Sequence, residues 1–354
     1  MSRKLFTVGP VHVEQDILQA MTRPMITHRS KEYKALHGAV MEKMKKMLET
    51  DNDIFLVGGS ASAFLEGAVR NGVNSEVLGL TNGSFGDRWI EISKLNGKNV
   101  KEIRVPWGKP ITPADVDGMI GKDTEAVHFV SNESSTGVLS GLGDITNEIR
   151  RQNDPLIFVD AVTSAGATDL QLRKNEPDAL IFGSQKALAL PPGLGFMMVS
   201  ERLMDKAKEV RNRGFYTDLL KLKKNNDDNY TLTTPPVSLI YALDFQLDRI
   251  LAEGMQARYR RHKEMAELVR QWSKKLYGML PEEGYMSETI GVLNRGELDF
   301  DKFHSTLKSK GYEISGGYGE VKSRTFRIGH MGDTTPAMLN GLLKVMDETL
   351  VECR

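Results

Sequence analysis

The stretches Leu156-Ile157-Phe158-Val159-Asp160 and Leu180-Ile181-Phe182-Gly183-Ser184-Gln185-Lys186-Ala187 decide how this chain is read. Both are continuous apolar runs without alternation, the pattern of strands covered on both faces. Each delivers a chemistry-bearing group at or just beyond its carboxyl end, the acid of Asp160 and the amine of Lys186, 26 positions apart. Five more runs share the texture, at residues 54–57, 77–80, 100–105, 127–130 and 196–199. Helical stripes lie between most of them: Phe64, Leu65, Ala68 and Val69 follow the small residues 58–62, and Trp89, Ile90, Ile92 and Leu95 follow Gly83-Ser84-Phe85-Gly86. Strand, glycine-rich turn and helix in repetition predict an α/β protein with a mostly parallel sheet, Asp160 and Lys186 projecting from one edge of it.

Bulk properties set the frame. A chain of 354 residues favours two domains, here a large one over 15–245 and a small α+β one built from 1–14 and 246–354. Lysine plus arginine equals aspartate plus glutamate at 47 each, which argues against nucleic acid or an anionic membrane as partner and leaves small molecules. Cys353 is the lone cysteine, so neither a disulfide framework nor a cysteine metal cluster is expected, and a reducing cytoplasm fits. No run approaches the roughly 18 apolar residues of a membrane span, and the start is too short in apolar residues for a signal peptide; a soluble protein is expected.

Residues 243–262 and on toward 276 form a long charged helical pattern, read as a bridge between the domains. Beyond it, Phe300, Phe303 and Leu307 make a stripe that stops at Gly311, and Thr335-Pro336 opens a terminal helix carrying Met338, Leu339, Leu342 and Met346. The polar segment 221–229 reads as an exposed loop.

Three groups could carry chemistry. The turn Gly58-Gly59-Ser60-Ala61-Ser62 is either an ordinary tight turn with a serine cap or an anion site, where small residues admit a phosphate to backbone N–H groups at a helix amino terminus. Asp160 either caps the turn Ala161-Val162-Thr163 or holds a pyridine nitrogen protonated, so that the ring accepts electrons. Lys186 is either a surface amine or a desolvated one of lowered pKa that condenses with a cofactor carbonyl. An acid and an amine on one sheet edge suggest pyridoxal 5'-phosphate.

Ser184-Gln185-Lys186-Ala187-Leu188 with Pro191-Pro192-Gly193 resembles the pyridoxal-lysine motif of class V aminotransferases, the branch with alanine–glyoxylate and serine–pyruvate aminotransferases. Further matches come in order: Gly59-Ser60-Ala61-Ser62, Asn82-Gly83-Ser84-Phe85-Gly86-Asp87-Arg88-Trp89, Glu133-Ser134-Ser135-Thr136-Gly137-Val138, Val159-Asp160-Ala161-Val162-Thr163-Ser164, Thr234-Pro235-Pro236-Val237 and Arg327-Ile328-Gly329-His330-Met331-Gly332. The resemblance spans nearly the whole chain and implies the pyridoxal-phosphate transferase fold of type I, with a mostly parallel seven-stranded sheet in the large domain.

It also implies roles. Ser60, Ala61 and Ser62 would hold the cofactor phosphate with Gln185 beside it, Phe85 would stack on the ring where the family often has tryptophan, Ser134 would bond the phenolic oxygen and Asp160 the ring nitrogen. Tyr230 and Thr234 resemble the pair reaching the phosphate from a neighbouring subunit, implying a homodimer with shared sites. Arg327 resembles the arginine that takes the substrate α-carboxylate, and Gly9-Pro10 the loop closing over the substrate. The expected activity moves an amino group from alanine or serine to glyoxylate or pyruvate through a Lys186 Schiff base, without a metal. A phosphoserine aminotransferase, using His28 and Arg29 to grip a substrate phosphate, is the alternative; those residues equally suit a positively charged helix entrance. A cysteine desulfurase would need a cysteine on a mobile loop, for which Cys353 is poorly placed, and a non-enzymatic relative would have lost one of Lys186, Asp160 or Arg327.

Overall fold

The computed structural model describes residues 3–353. The seven apolar runs pair into one sheet in the order Asp53–Gly58, Leu194–Val199, Ala179–Gly183, Leu156–Asp160, Thr124–Val130, Glu76–Thr81, Asn99–Arg104. Leu194–Val199 is antiparallel to both neighbours, and the other paired strands are parallel. The inner runs are unbroken because both faces are buried: Ile157 and Val159 enter one core with Val40, Met44, Ile240 and Leu243, while Phe158 enters the opposite one with Ala68, Val69 and Leu203. The expectation of two covered faces fails for the edge strand Asn99–Arg104, whose Asn99, Lys101 and Arg104 are exposed. Complete burial of a side chain such as Phe158 contributes about 1.5–3 kcal/mol.

A second, four-stranded sheet has the order Lys4–Phe6, Tyr312–Gly316, Thr325–Gly329, Ile290–Asn294 and packs against helices Phe300–Ser309 and Pro336–Cys353 through Phe303, Leu307, Phe326, Leu342 and Met346. Lys4–Phe6 lies parallel to Tyr312–Gly316, so the chain must run from this sheet past the edge of the large one before its first helix. That path carries Val8 and Gly9 onto Lys186. No helix among the described residues is long and apolar enough to cross a membrane.

Three expectations are corrected. Residues 221–229 are not a loop: Leu219–Asp227 is a helix, because Asp218 accepts the N–H groups of Leu220 and Lys221 as a cap, and Leu219 and Leu222 bury against the large core. The long helical stretch is two helices, Val237–Glu253 and Met255–Ser273, broken at Gly254, whose φ of 79° lies outside the helical region. Leu95 is 79 % exposed; helix Ser84–Leu95 buries Trp89, Ile90 and Ser93, and Leu95 falls on the opposite side of the wheel.

Arg258, 1 % exposed, ties these parts together. Its Nε donates to the Gly166 carbonyl at 2.9 Å and its Nη2 to the carbonyl of Ala187, next to Lys186, at 2.6 Å, while Nη1 pairs with Glu253 at 2.8 Å and Asp333 at 3.4 Å. Arg258→Ala takes their buried donor from the Gly166 and Ala187 carbonyls, while Glu253 keeps Arg261 and Asp333 keeps Gln246, and should cost about 1–3 kcal/mol in denaturant unfolding; a loss within about 0.5 kcal/mol, the scale of a surface substitution, would show the network to be passive.

Candidate active site

Parallel strands end together, and the carboxyl edge of such a sheet is where α/β proteins open a crevice. Here a cavity of about 390 Å³ is lined by Gly9, Ser60, Ala61, Ser62, Phe85, Arg88, Asn132, Ser134, Asp160, Val162, Thr163, Gln185, Lys186 and Tyr318, among others. The large-sheet contributions come from the ends of strands and from the turns and helix starts that follow them: Asp53–Gly58 leads to Ser60, Glu76–Thr81 to Phe85 in the first turn of helix Ser84–Leu95, Thr124–Val130 to Ser134, Leu156–Asp160 ends on Asp160, and Ala179–Gly183 leads to Lys186. Wider hollows of about 580 Å³ lie elsewhere on the surface, one along Asp53 and Lys223, which pair with each other at 3.3 Å, and one along Lys46 and Arg173. They lack a convergent set of buried reactive groups, so chemistry and not size identifies the site.

Lys186 is buried, and its Nζ donates to the Val8 carbonyl at 2.7 Å. Burial, aided by the positive charge of Arg327, pulls the amine down to about 8. Gly9, at φ +144°, lies so close that a Cβ there would stand 2.7 Å from the lysine Cε and 2.9 Å from Nζ, so only glycine lets this segment cross the amine. Asp160 is pushed up to about 7, chiefly by burial, against the opposing hydrogen bond from the Val162 N–H to Oδ1 at 2.8 Å. The turn-capping role is therefore real and uses one oxygen; among the described residues no donor reaches the other.

The turn after Asp53–Gly58 begins helix Ser62–Gly72 with no side-chain cap, so the serine-capped alternative is not what is built. The backbone N–H groups of Ser60, Ala61 and Ser62 have no acceptor among the described residues, and Gly195 allows the turn to lie against the sheet, since a Cβ there would meet the Ser60 carbonyl oxygen at 2.7 Å. Three free amides at a helix amino terminus are a ready anion site. Asn132 adds a buried Oδ1 without a partner on the cavity wall, while its amide nitrogen is held by the Thr163 carbonyl and the Thr289 hydroxyl.

Arg327 is 9 % exposed and makes no ion pair with a carboxylate among the described residues. Its Nε donates to the Gly316 carbonyl at 2.9 Å and its Nη1 to the Ser134 carbonyl at 3.2 Å, and burial brings it down to about 10. A buried cation held by carbonyl dipoles and an aromatic face, with no carboxylate beside it among the described residues, is costly unless an anion completes it. This is not the surface salt bridge a strand-edge arginine would otherwise form.

Glu133 enters the sequence reading only as part of a motif, yet it organises the wall. Fully buried, it accepts the N–H groups of Phe85 and Gly86 on Oε2 at 3.0 and 3.1 Å, and the N–H and hydroxyl of Ser135 on Oε1 at 3.0 and 2.6 Å. Burial raises its pKa, while these donors oppose the rise and favour the carboxylate at the amino terminus of helix Ser84–Leu95. Arg88, Tyr318 and Tyr216 carry no role in the sequence reading either: Tyr216 donates to the Gly58 carbonyl at 2.5 Å behind the anion turn. They leave no local signal, because only the folded chain brings distant segments to the sheet edge.

Five expected residues are not among those lining this cavity: Arg327, which touches its wall through Ser134 and Tyr318, and four that lie elsewhere. Tyr230 packs beside Tyr33, Val237 and Tyr241, with the Lys34 amine 5.6 Å from its ring centre, and Thr234 is exposed. His28 is partly exposed and Arg29 exposed, just before Ser30, which caps helix Lys31–Leu48 by accepting the Tyr33 N–H.

The class-V aminotransferase family model matches residues 12–317. The chain is 31 % identical over 354 residues to an L-aspartate–glyoxylate aminotransferase of Paracoccus denitrificans, covering 96 % of this chain and 89 % of that protein. It is 30 % identical over 368 residues to a serine–glyoxylate aminotransferase of Methylorubrum extorquens, covering 98 % and 91 %. A solved alanine–glyoxylate aminotransferase from Nostoc sp. superposes with a TM-score of 0.93 at 25 % identity, covering 99 % and 96 % of the two chains. With the family's match running through the sheet edge just described, this chain belongs to the class-V aminotransferases.

Proposed function

We propose that the chain is a pyridoxal 5'-phosphate-dependent aminotransferase that moves an amino group from a small amino acid, alanine or serine, to glyoxylate or pyruvate. The observation that carries the reading is the convergence of a desolvated amine and a buried acid on one cavity, with a buried guanidinium, Arg327, held just behind two of its lining residues, Ser134 and Tyr318. The groups present suit the cofactor. The free amides of residues 60–62 would take its phosphate, with Gln185 near, Phe85 would cover a ring face, and the Ser134 hydroxyl would bond its phenolic oxygen. The free oxygen of Asp160 would hold the ring nitrogen. When bound, the cofactor supplies an electron sink for charge developing at the substrate Cα.

The chain's own groups do the rest. Arg327 presents its fork to the α-carboxylate and thereby fixes Cα over the sheet edge. Lys186 Nζ, with its pKa already lowered, takes up and returns the Cα proton; holding it in place can lower the barrier by up to roughly 7–11 kcal/mol relative to a bimolecular transfer in favourable cases. Asp160, its carboxyl pushed up by burial to about 7, would be held as the anion by a protonated ring nitrogen and would support that charge state in return. We place the active unit in a homodimer, Tyr230 and Thr234 reaching the phosphate of the partner's site, and in a reducing cytoplasm, in keeping with the lone Cys353. The activities of the serine–glyoxylate and alanine–glyoxylate relatives support the choice of substrates, and a donor-by-acceptor panel including aspartate and phosphoserine tests it.

Borohydride reduction of the yellow holoenzyme should leave the cofactor on the peptide containing Lys186; a label on another residue ends the assignment. Because the Lys186 pKa is lowered, its neutral and reactive form grows as pH rises through about 8, not 10.5. Condensation of the apoprotein with pyridoxal phosphate should therefore accelerate from pH 7 to about 9 and level off, and a rate still climbing tenfold per unit at pH 10 would contradict it. Arg327→Lys, which keeps charge but loses the fork, should cut kcat/KM on the order of 10–100-fold with every α-amino acid, the worth of one charged hydrogen bond; a wild-type value would remove its carboxylate role.

A further inference from the structure

Tyr318 sits on a glycine-rich turn, Gly316-Gly317-Tyr318-Gly319, that reaches from the small sheet across to the large one. Its ring stacks on Phe85 with centroids 5.7 Å apart and planes 12° from parallel, and the Arg327 guanidinium lies 5.3 Å from its centre. The Arg88 Nη2 donates to its hydroxyl at 3.2 Å, while the Arg88 guanidinium also lies 4.8 Å from the centre of the Phe85 ring. Tyr318 is 38 % exposed and lines the cavity.

Its position is held at both ends. A Cβ on Gly319, at φ +59°, would collide with Ser84 and Trp107 of the large unit, and one on Gly317 would meet the Lys322 carbonyl oxygen at 2.7 Å. Only glycines let the turn press this closely on its neighbours, so the tyrosine between them has little freedom to swing aside.

Resting on the aminotransferase reading, we propose that Tyr318 is the specificity-determining wall of the substrate site, restricting it to α-amino and 2-oxo acids with short side chains. An acid whose carboxylate occupies Arg327 and whose Cα faces Lys186 lies beside the Tyr318 ring, because that ring touches the same guanidinium. Any side chain growing outward from Cα over Phe85 meets the tyrosine face. The cavity, at about 390 Å³, must also take the cofactor, so the space left on the substrate side is small. The bond from Arg88 keeps the phenol upright, and Phe85 backs it.

The test uses the holoenzyme with two unreactive probes, propionate and hexanoate, titrated by calorimetry, alongside single-turnover rates with alanine and leucine. Wild type should favour propionate and alanine. Tyr318→Ala should shift the hexanoate-to-propionate affinity ratio, and the leucine-to-alanine rate ratio, by about 10–100-fold toward the longer acid, the range that pocket contacts of a few methylenes command. Tyr318→Phe, which keeps the ring and loses the Arg88 bond, should leave both ratios near wild type. Unchanged ratios in Tyr318→Ala, with propionate still bound, overturn the wall alone; an equal shift in Tyr318→Phe also overturns it, because the bond and not the ring would then set the limit. If wild type binds neither carboxylate, both the wall and the aminotransferase reading fall.

Discussion

Desolvation of charge at the shared carboxyl edge of the parallel strands is the constraint on which the rest of this molecule depends. Lys186, Asp160, Glu133 and Arg327 are all nearly removed from water, a state that costs several kcal/mol per ion unless partners compensate it. Glu133 is compensated internally by four donors, which makes it architecture. Lys186 and Arg327 rest on backbone carbonyls, and Asp160 on a single N–H. Under-compensated groups of both signs facing one cavity are a site waiting for a ligand of mixed charge, and the family's chemistry supplies one.

The same constraint explains why the small sheet must touch the large one. Arg327 stands on a strand of the small sheet but donates to Ser134 of the large unit, and the segment after Lys4–Phe6 lays Val8 and Gly9 across Lys186. Arg258 then locks the bridging helix to the residue next to Lys186. The Lys186 amine, the Arg327 guanidinium and the sheet edge are thus set by contacts that cross between the two sheets, and small shifts there would move the guanidinium relative to the amine.

Much of this was legible in the residues. Continuous apolar runs exposed the inner strands because strands buried on both faces have no polar side to show, whereas the edge strand Asn99–Arg104 is polar and partly exposed, and Asp160 and Lys186 could be placed because the end of a strand locates the residues just beyond it. Short-range signals failed where local polarity and tertiary burial disagree. Residues 221–229 look solvated, yet Leu219 and Leu222 supply an anchor and Asp218 a cap; Leu95 looks like core, yet the helix turns it outward.

The amino-acid sequence by itself determined the sheet, the acid and amine at its edge, and the family, since these rest on periodicity and on motifs contiguous in the chain. Only the tertiary structure decided that Arg327 is buried without a carboxylate partner among the described residues, that Glu133 clamps the Phe85 turn, and that Tyr318 stands against Arg327 and Phe85. Those properties are relations between segments up to some hundreds of residues apart, and burial, the quantity that sets their energies, has no local trace in a chain before it folds.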